Sequence, residues 1–420
     1  MNAVSKRNNR IYWFVIFSCT FLWTIMMGSK NVYTAEIVEI MGIFNVEKAQ
    51  ASFAMFLYFM VYSSVQIALF FFLEKLDLKW FTLITMGVSG LVTVFVAFAT
   101  DMFQIWWLLA INGFLQAGVC GVCIATFKKF LPENKLAIAN VFFNVGTAIA
   151  GLISYGTGAL FVSISRWELP FIILGIVLSL SAVLYFVSII MASKIKKDES
   201  EVLEENKLET EQAFFAVKSK TFKIVYCVLT FVISFFIHAI FYPVLNWMPN
   251  LLTEIYSLDN SVAILISALA PVMTVIGPII AVAQCERQKN FIMVTIIYMA
   301  ITTVLGLLMW LIFDKSMLGI IIAIIVFLVV AQAAMTVVFT VMPLKMSAYV
   351  DAGGHSSLMN SAGGFAAGIA PMAIGSIIDS FGWAVSYGVI FGVSLAMLVV
   401  LFGVYIYIEK LRKKQAKQGN

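Results

Sequence analysis

The chain has 420 residues, of which 62% are hydrophobic and only 12% charged, and it carries a net charge of +5. Soluble domains run at roughly 45–50% apolar and about 25% charged, so a water-soluble globule is excluded and lipid must be the solvent for most of the surface. The positive charge then reports membrane topology and contact with anionic lipid, and it argues for no nucleic-acid partner.

The one long polar run is Ser193 to Lys223, with seven acidic residues from Asp198 to Glu211 and lysines at both ends. That density of charge must sit in water, so it links two apolar halves of nearly equal length. A bilayer crossing takes about 20 apolar residues, and each half holds six. The expected spans lie near 11–35, 50–73, 80–100, 103–127, 136–162, 170–192, 222–249, 260–283, 291–313, 317–342, 356–378 and 384–408. Continuous apolar runs without period-2 alternation make these helices and exclude a barrel. The expected organisation is therefore a six-helix bundle over 1–192, a charged linker over 193–221, a second bundle over 222–408 and a basic tail over 409–420.

In chain order, the first span ends in MMGSKNVYTAE. Lys30 lies near its far end and is either a lysine snorkelling to the interface or a cation facing a central cavity beside Trp23, Met27 and Thr34. Glu36 and Glu39 beyond it are expected in water. The second span sets Tyr58, Tyr62 and Gln66 on one face, as cavity lining or as helix-packing glue. The fourth holds Asn112, Gly113 and Gln116, then a CxxC at Cys120 and Cys123. No second Cys or His cluster accompanies it, so the pair reads as small-residue packing; no metal and no cofactor are expected. The fifth carries Asn140 and Asn144 one turn apart, with Gly146 and Gly151 for close contact. Lys129 and Asn144 share their spacing with Lys345 and Asn360, which points to a duplicated unit.

The seventh span places His238, Tyr242 and Asn246 on one stripe beside Pro243, which should kink it. His238 reads either as a packing histidine or as a gating or binding residue. Ala270-Pro271 and Gly277-Pro278 should interrupt the eighth span, and Gln332, Thr336 and Thr340 stripe the tenth. Gly364-xxx-Gly368 and Gly388-xxx-Gly392 read as packing contacts. In the linker, residues 213–217 form either a short interfacial helix or plain loop.

With twelve spans, 23 of the 27 Lys and Arg residues fall on the side that holds both termini and the linker. That bias puts both termini in the cytoplasm. The basic start lacks a cleavage pattern and reads as an uncleaved first span, in the cytoplasmic (inner) membrane of a bacterial-type cell. The five cysteines lie in or at the ends of predicted helices and suggest no disulfide framework.

Two six-helix halves joined by a charged loop resemble the major facilitator superfamily over nearly the whole chain. SKNV at 29–32, NGFLQ at 112–116, NVG at 144–146 and VLNWMPNLLTE at 244–254 are most similar to its organophosphate:phosphate antiporter branch, the glycerol-phosphate and hexose-phosphate transporters. The resemblance implies an all-α integral membrane fold of twelve helices in two pseudo-symmetric bundles. It also implies alternating access about a cavity lined mainly by spans 1, 4, 7 and 10. Transporters of that branch clamp phosphate with arginines on the first and seventh helices, a lysine on the second and a histidine on the fifth. The matching positions here are Ser29, Phe241, Gln66 and Phe143, with a nearby acidic position at Asn246. A desolvated dianion needs charge-assisted donors that these cannot supply.

The expectation is a secondary active or exchange transporter, acting as a monomer, for a small polar solute that is an organic anion or a polyol or sugar. Its candidate contacts are Lys30, Tyr62, Gln66, Asn112 and Gln116, with Asn144, His238, Tyr242, Asn246 and Gln332. An organophosphate antiporter with a diverged site, and a non-transporting membrane sensor of the same fold, are the alternatives. No nucleophile–base pair supports an enzyme and no phosphate-binding loop supports ATP drive. No predicted span centre holds Asp or Glu, so His238 and Lys30 are the titrating candidates, and exchange or facilitated diffusion stands level with proton symport.

Overall fold

The computed structural model describes residues 3–72, 76–199, 220–288, 290–342 and 352–418. No strand occurs among them, as expected where lipid offers no partner for an open backbone. The first half of the chain forms α1 (Ala3–Ala35), α2 (Ile37–Phe44), α3 (Lys48–Phe72), α4 (Leu78–Val96), α5 (Met102–Gln116), α6 (Val119–Phe130), α7 (Glu133–Val162) and α8 (Leu169–Glu199). The second half forms α9 (Lys220–Asn246), α10 (Met248–Tyr256), α11 (Asn260–Ser267), α12 (Leu269–Met273), α13 (Ile276–Gln288), α14 (Phe291–Ile312) and α15 (Met317–Thr336). A π-helical turn (Val337–Val341) and the long α16 (Ala352–Gln418) follow.

Among the described residues, eleven helical stretches are long and apolar enough to cross a membrane. The last, Leu358–Ile406, has 49 residues, more than twice the roughly 20 that one crossing needs. Gly382 breaks it with φ 81° and ψ 177°, a conformation that suits a residue without Cβ. The break separates the last two expected spans, so the layout accommodates twelve crossings. Large apolar side chains face outward along the helices, with Phe98 65%, Ile279 67% and Phe381 70% exposed. In water such a surface would aggregate; against acyl chains it is at rest.

The chain divides into two compact units. Unit 1 comprises residues 1–212 together with Asp259–Val272, so the start of the expected eighth span clusters with the first half of the chain. Unit 2 comprises Ala213–Leu258 and Met273–Asn420. Within unit 1, α1 packs on α7 and α8, α3 on α5, α4 on α5 and α8, and α11 on α7. Within unit 2, α9 packs on α15 and α16, and α14 on α15 and α16. The two units reuse one device. Trp23 Nε1 of α1 donates to Thr147 Oγ1 of α7, and Trp247 Nε1 donates to the Pro371 carbonyl of α16, each pair 124 residues apart.

Breaks in the helices follow local chemistry. The eighth span is cut into α11, α12 and α13 around Ala268 and residues 274–275, close to both Ala-Pro and Gly-Pro steps. Pro243 is carried inside α9, and the break comes later, at Trp247, before Pro249 opens α10. The seventh span is interrupted there because Pro249 in the first turn of α10 fits a new helix start. In the 388/392 glycine pair, a Cβ on Gly388 would lie 3.4 Å from the Trp310 ring, whereas one on Gly392 would meet nothing within 4 Å. Lys345 and linker residues 213–217 lie outside the described residues. Asp77 caps α4, accepting from the Lys79 amide at 3.2 Å.

Glycine sets the closest approach in unit 1. A Cβ on Gly175 of α8 would come within 2.5 Å of the Gly90 carbonyl and 2.9 Å of the Val94 amide of α4, and backbone cannot step aside cheaply. Gly175→Ala should therefore destabilise the protein by about 1–3 kcal/mol, read as a lowered midpoint of thermal unfolding in detergent. Gly156→Ala, where nothing lies within 4 Å, should leave the midpoint unchanged or slightly raised.

Candidate functional site

Lys30 is the cation that unit 1 buries near the far end of α1, at 9% exposure. Its ammonium lies 5.1 Å from the centre of the Phe59 ring of α3, a favourable cation–π position. Among the described residues no carboxylate pairs with it. The preceding Ser29 Oγ donates to its own helix at the Met26 carbonyl, 2.8 Å away. Such back-bonding spends the hydroxyl's one donor on its own helix, leaving no proton to offer an anionic solute.

On α3, Tyr58 and Tyr62 stack with ring centres 5.7 Å apart, as their four-residue spacing expects. Tyr62 is buried and Gln66 half-buried. Tyr58 opens a polar ladder: its hydroxyl donates to Gln116 Oε1 (2.7 Å), Gln116 Nε2 to Ser89 Oγ (2.9 Å), Ser89 to Asn112 Oδ1 (2.8 Å), and Asn112 Nδ2 to Thr93 Oγ1 (3.1 Å). The ladder binds α3, α4 and α5 together beside the close Gly113–Tyr58 backbone contact. Both amides expected to meet a solute are thus engaged in holding helices, because an unpaired amide in this interior would cost more than it gains. Ser89 and Thr93 are the partners the sequence reading missed. Their four-residue spacing on an apolar helix was the available signal.

The fifth-helix position at Phe143 holds a ring stacked on Trp23 at 4.6 Å, with Phe127 edge-on at 6.2 Å. The side chain of the neighbouring Asn144 lies outside the described residues, although its backbone belongs to α7. The Cys120–Cys123 pair packs with its thiols reduced, and Cys123 Sγ points at the Cys19 carbonyl at 3.7 Å. Among the described residues there is no group of acids, histidines and cysteines that could hold a metal ion.

In unit 2, His238 of α9 is buried. Its Nδ1 lies 2.7 Å from the Ser234 carbonyl, so Nδ1 carries the hydrogen and donates, leaving Nε2 as the acceptor. The ring lies against Gly363 of α16, where a Cβ would come within 2.7 Å of Nε2, and Tyr242 stacks on its other side at 5.9 Å. Phe241, at the seventh-helix clamp position, is buried edge-on to Tyr242 at 5.4 Å. Asn246 closes α9 and is buried, and Gln332 on α15 is half-buried, its carbonyl accepting from Thr336 Oγ1 at 2.9 Å. The Thr340 side chain lies outside the described residues.

One acid departs from expectation. Glu36, expected in water, is fully buried, whereas Glu39 is half-buried. The backbone turns at Glu36 (φ −90°, ψ 3°) between α1 and α2, which swings this side chain inward. Glu254, by contrast, accepts from Trp383 Nε1 at 2.9 Å.

A family model described as Major Facilitator Superfamily matches residues 12–355. No curated protein sequence matches. Among solved structures, the chain is similar to a bacterial homologue of the human lysosomal transporter Spinster, with 13% identity and a TM-score of 0.71 over 94% of this chain and 96% of that one. It is also similar to a D-xylose-proton symporter, with 12% identity and a TM-score of 0.70 over 93% and 97% of the two chains. The nucleoside transporter NupG aligns with 13% identity and a TM-score of 0.66 over 94% and 99%. At these identities the likeness is one of fold.

The ladder predicts its own energetics. Gln116→Leu strands the Tyr58 hydroxyl in an apolar interior and takes one donor from Ser89, which keeps its bond to Asn112, and should cost about 1–3 kcal/mol in equilibrium unfolding. Tyr58→Phe, which removes a donor and leaves an amide able to shift, should cost less.

Proposed function

This chain belongs to the major facilitator superfamily, and on that premise we propose that it is a secondary transporter for a small organic solute bearing one negative charge. It works as a monomer in the cytoplasmic membrane, with both termini in the cytoplasm. The observation that carries the reading is Lys30. A buried ammonium held over a ring, with no carboxylate beside it among the described residues, is a charge awaiting an anion. Tyr62 and Gln66 on α3 supply one hydrogen-bonding and apolar face of unit 1. His238 Nε2, Tyr242, Asn246 and Gln332 are the corresponding groups of unit 2.

The charge of the solute follows from what replaces the phosphate clamp. Phe143 and Phe241 are rings packed on Trp23 and Tyr242, and Ser29 is spent on its own helix. A single ammonium offsets a monocarboxylate; a phosphate dianion would be left half-compensated in a low-dielectric site. The stacked Tyr58–Tyr62 pair favours, as a second reading, a neutral sugar or polyol whose apolar face lies on the rings. Asn112 and Gln116 drop out of the proposed contacts, since the ladder occupies them.

A thermal-shift screen of purified protein against monocarboxylates, sugars, polyols and organophosphates tests this. A binder at about 100 times its Kd adds about 2.7 kcal/mol of stability, and a monocarboxylate should give the largest shift. Lys30→Met should abolish that shift, and Lys30→Arg should keep part of it. A sugar phosphate giving the largest shift would reverse the reading of the clamp. Flux of the winning compound into vesicles separates a transporter from a sensor, which moves nothing.

A further inference from the structure

Glu36 has no exposed surface, and neither carboxyl oxygen has a hydrogen-bond partner among the described residues. It stands at the N-cap of α2 yet makes no capping bond. Gly158 of α7 leaves it room: a Cβ there would lie 3.3 Å from Glu36 Oε1, 3.4 Å from the Ala35 methyl and 3.7 Å from Ile264 Cγ2 of α11. The last contact comes from Asp259–Val272, the segment that packs as part of unit 1. Beside it, Ala35, Tyr155, Ala159, Val162, Ile264 and Ala268 form a continuous apolar cluster.

The charged and titratable surroundings do not compensate a carboxylate. On α2, Glu39 accepts from Asn260 Nδ2 of α11 at 3.2 Å. In the turn between α7 and α8, Glu168 pairs with Arg166, which satisfies that cation. Asp259 stands at the N-cap position of α11 without a side-chain capping bond, Tyr155 of α7 contributes a phenol to the cluster, and Tyr33 of α1 donates to the Ala51 carbonyl at 2.8 Å. Lys48 begins α3, which packs on α2, and it has a partner of its own. Lys30 on α1 is held over Phe59. Burial first, then the charges of Glu39 and Glu168, push the Glu36 carboxyl up from the ordinary 4.5 to about 9.

We propose that Glu36 is a proton-binding site, occupied while α2, α7 and α11 enclose it and emptied to water when α11 parts from α7. As an acid the group is neutral and tolerates an apolar enclosure; as a carboxylate it does not. On opening, the O–H bond breaks and the proton passes to water; on closing, water returns it. A metal cation fits poorly here, since Na⁺- or Ca²⁺-like ions need a shell of oxygens and the carboxyl meets a glycine face and methyl groups. Resting on the transporter reading above, the proton carried by Glu36 is the coupling ion.

Infrared spectra of the full chain in lipid nanodiscs decide whether the site exists, without any solute. At neutral pH a protonated-carboxyl C=O band is expected that titrates away near pH 9. It should be absent from Glu36→Gln and retained in Glu39→Gln. Thermal stability supplies the second readout. Between 4.5 and about 9 the folded protein holds a proton that the unfolded chain has released, so the wild-type midpoint should fall with rising pH through that window. Glu36→Gln, isosteric with the neutral acid, should flatten the fall. A band missing from wild type, or surviving in Glu36→Gln, overturns the site. In vesicles with labelled L-lactate and D-xylose, Glu36→Gln should keep solute exchange and lose accumulation driven by a pH gradient. Undiminished accumulation by the variant overturns the coupling role. If wild type moves neither probe, the solute reading fails while the infrared band still decides the site.

Discussion

Inside this protein a polar atom cannot turn to water, and that constraint shapes nearly every side chain that carries one. Serines and threonines in the spans bend back onto their own helices, as Ser29, Thr24 and Thr302 do at 2.8 Å. Longer groups reach across: Ser18 to Ser188, Thr126 to Tyr185, and the ladder from Tyr58 to Thr93. Each such bond is worth little net, yet leaving one unmade in an apolar interior is costly. The helices are therefore held at distances that glycine permits and polar pairs require, and the packing of α4 on α8 and of α3 on α5 follows.

Against that background the uncompensated groups carry information. Among the described residues, Lys30 has a ring beneath it and no acid, and Glu36 has neither donor nor cation. A structural role explains neither, because a methionine or a glutamine would fill the same space at lower cost. On the readings proposed above, the lysine takes an anion and the glutamate a proton, and both belong to α1 and its turn into α2. Solute and driving ion would then act on one stretch of chain, so that a shift of α1 is felt by both.

The two units arrive at similar arrangements with different chemistry. In each, a tryptophan indole bonds to a later helix, from within α1 in unit 1 and from the junction just after α9 in unit 2, and glycines allow close approach of the helices. Unit 1 places a cation on α1 and unit 2 a histidine on α9, with Nδ1 committed to the Ser234 carbonyl and only Nε2 left to accept. The imidazole is packed against Gly363 and Tyr242, which fixes its orientation.

Composition and spacing by themselves determined the class of molecule: twelve apolar runs, a charged linker at the midpoint and a lysine bias toward one side leave no other architecture, because length and hydropathy are additive along the chain. They also showed Tyr58 above Tyr62 and His238 beside Tyr242, since residues four apart on a helix must share a face. Which of those polar residues remain available was decided only by tertiary packing. Asn112 and Gln116 look identical in sequence to solute-binding amides, and Ser89 and Thr93 on another helix take them up. Glu36 sits among residues expected in water and is buried by a one-residue turn together with Gly158 and Ile264, more than a hundred residues further along the chain. Contacts of that kind depend on how distant faces meet, and no local pattern encodes them.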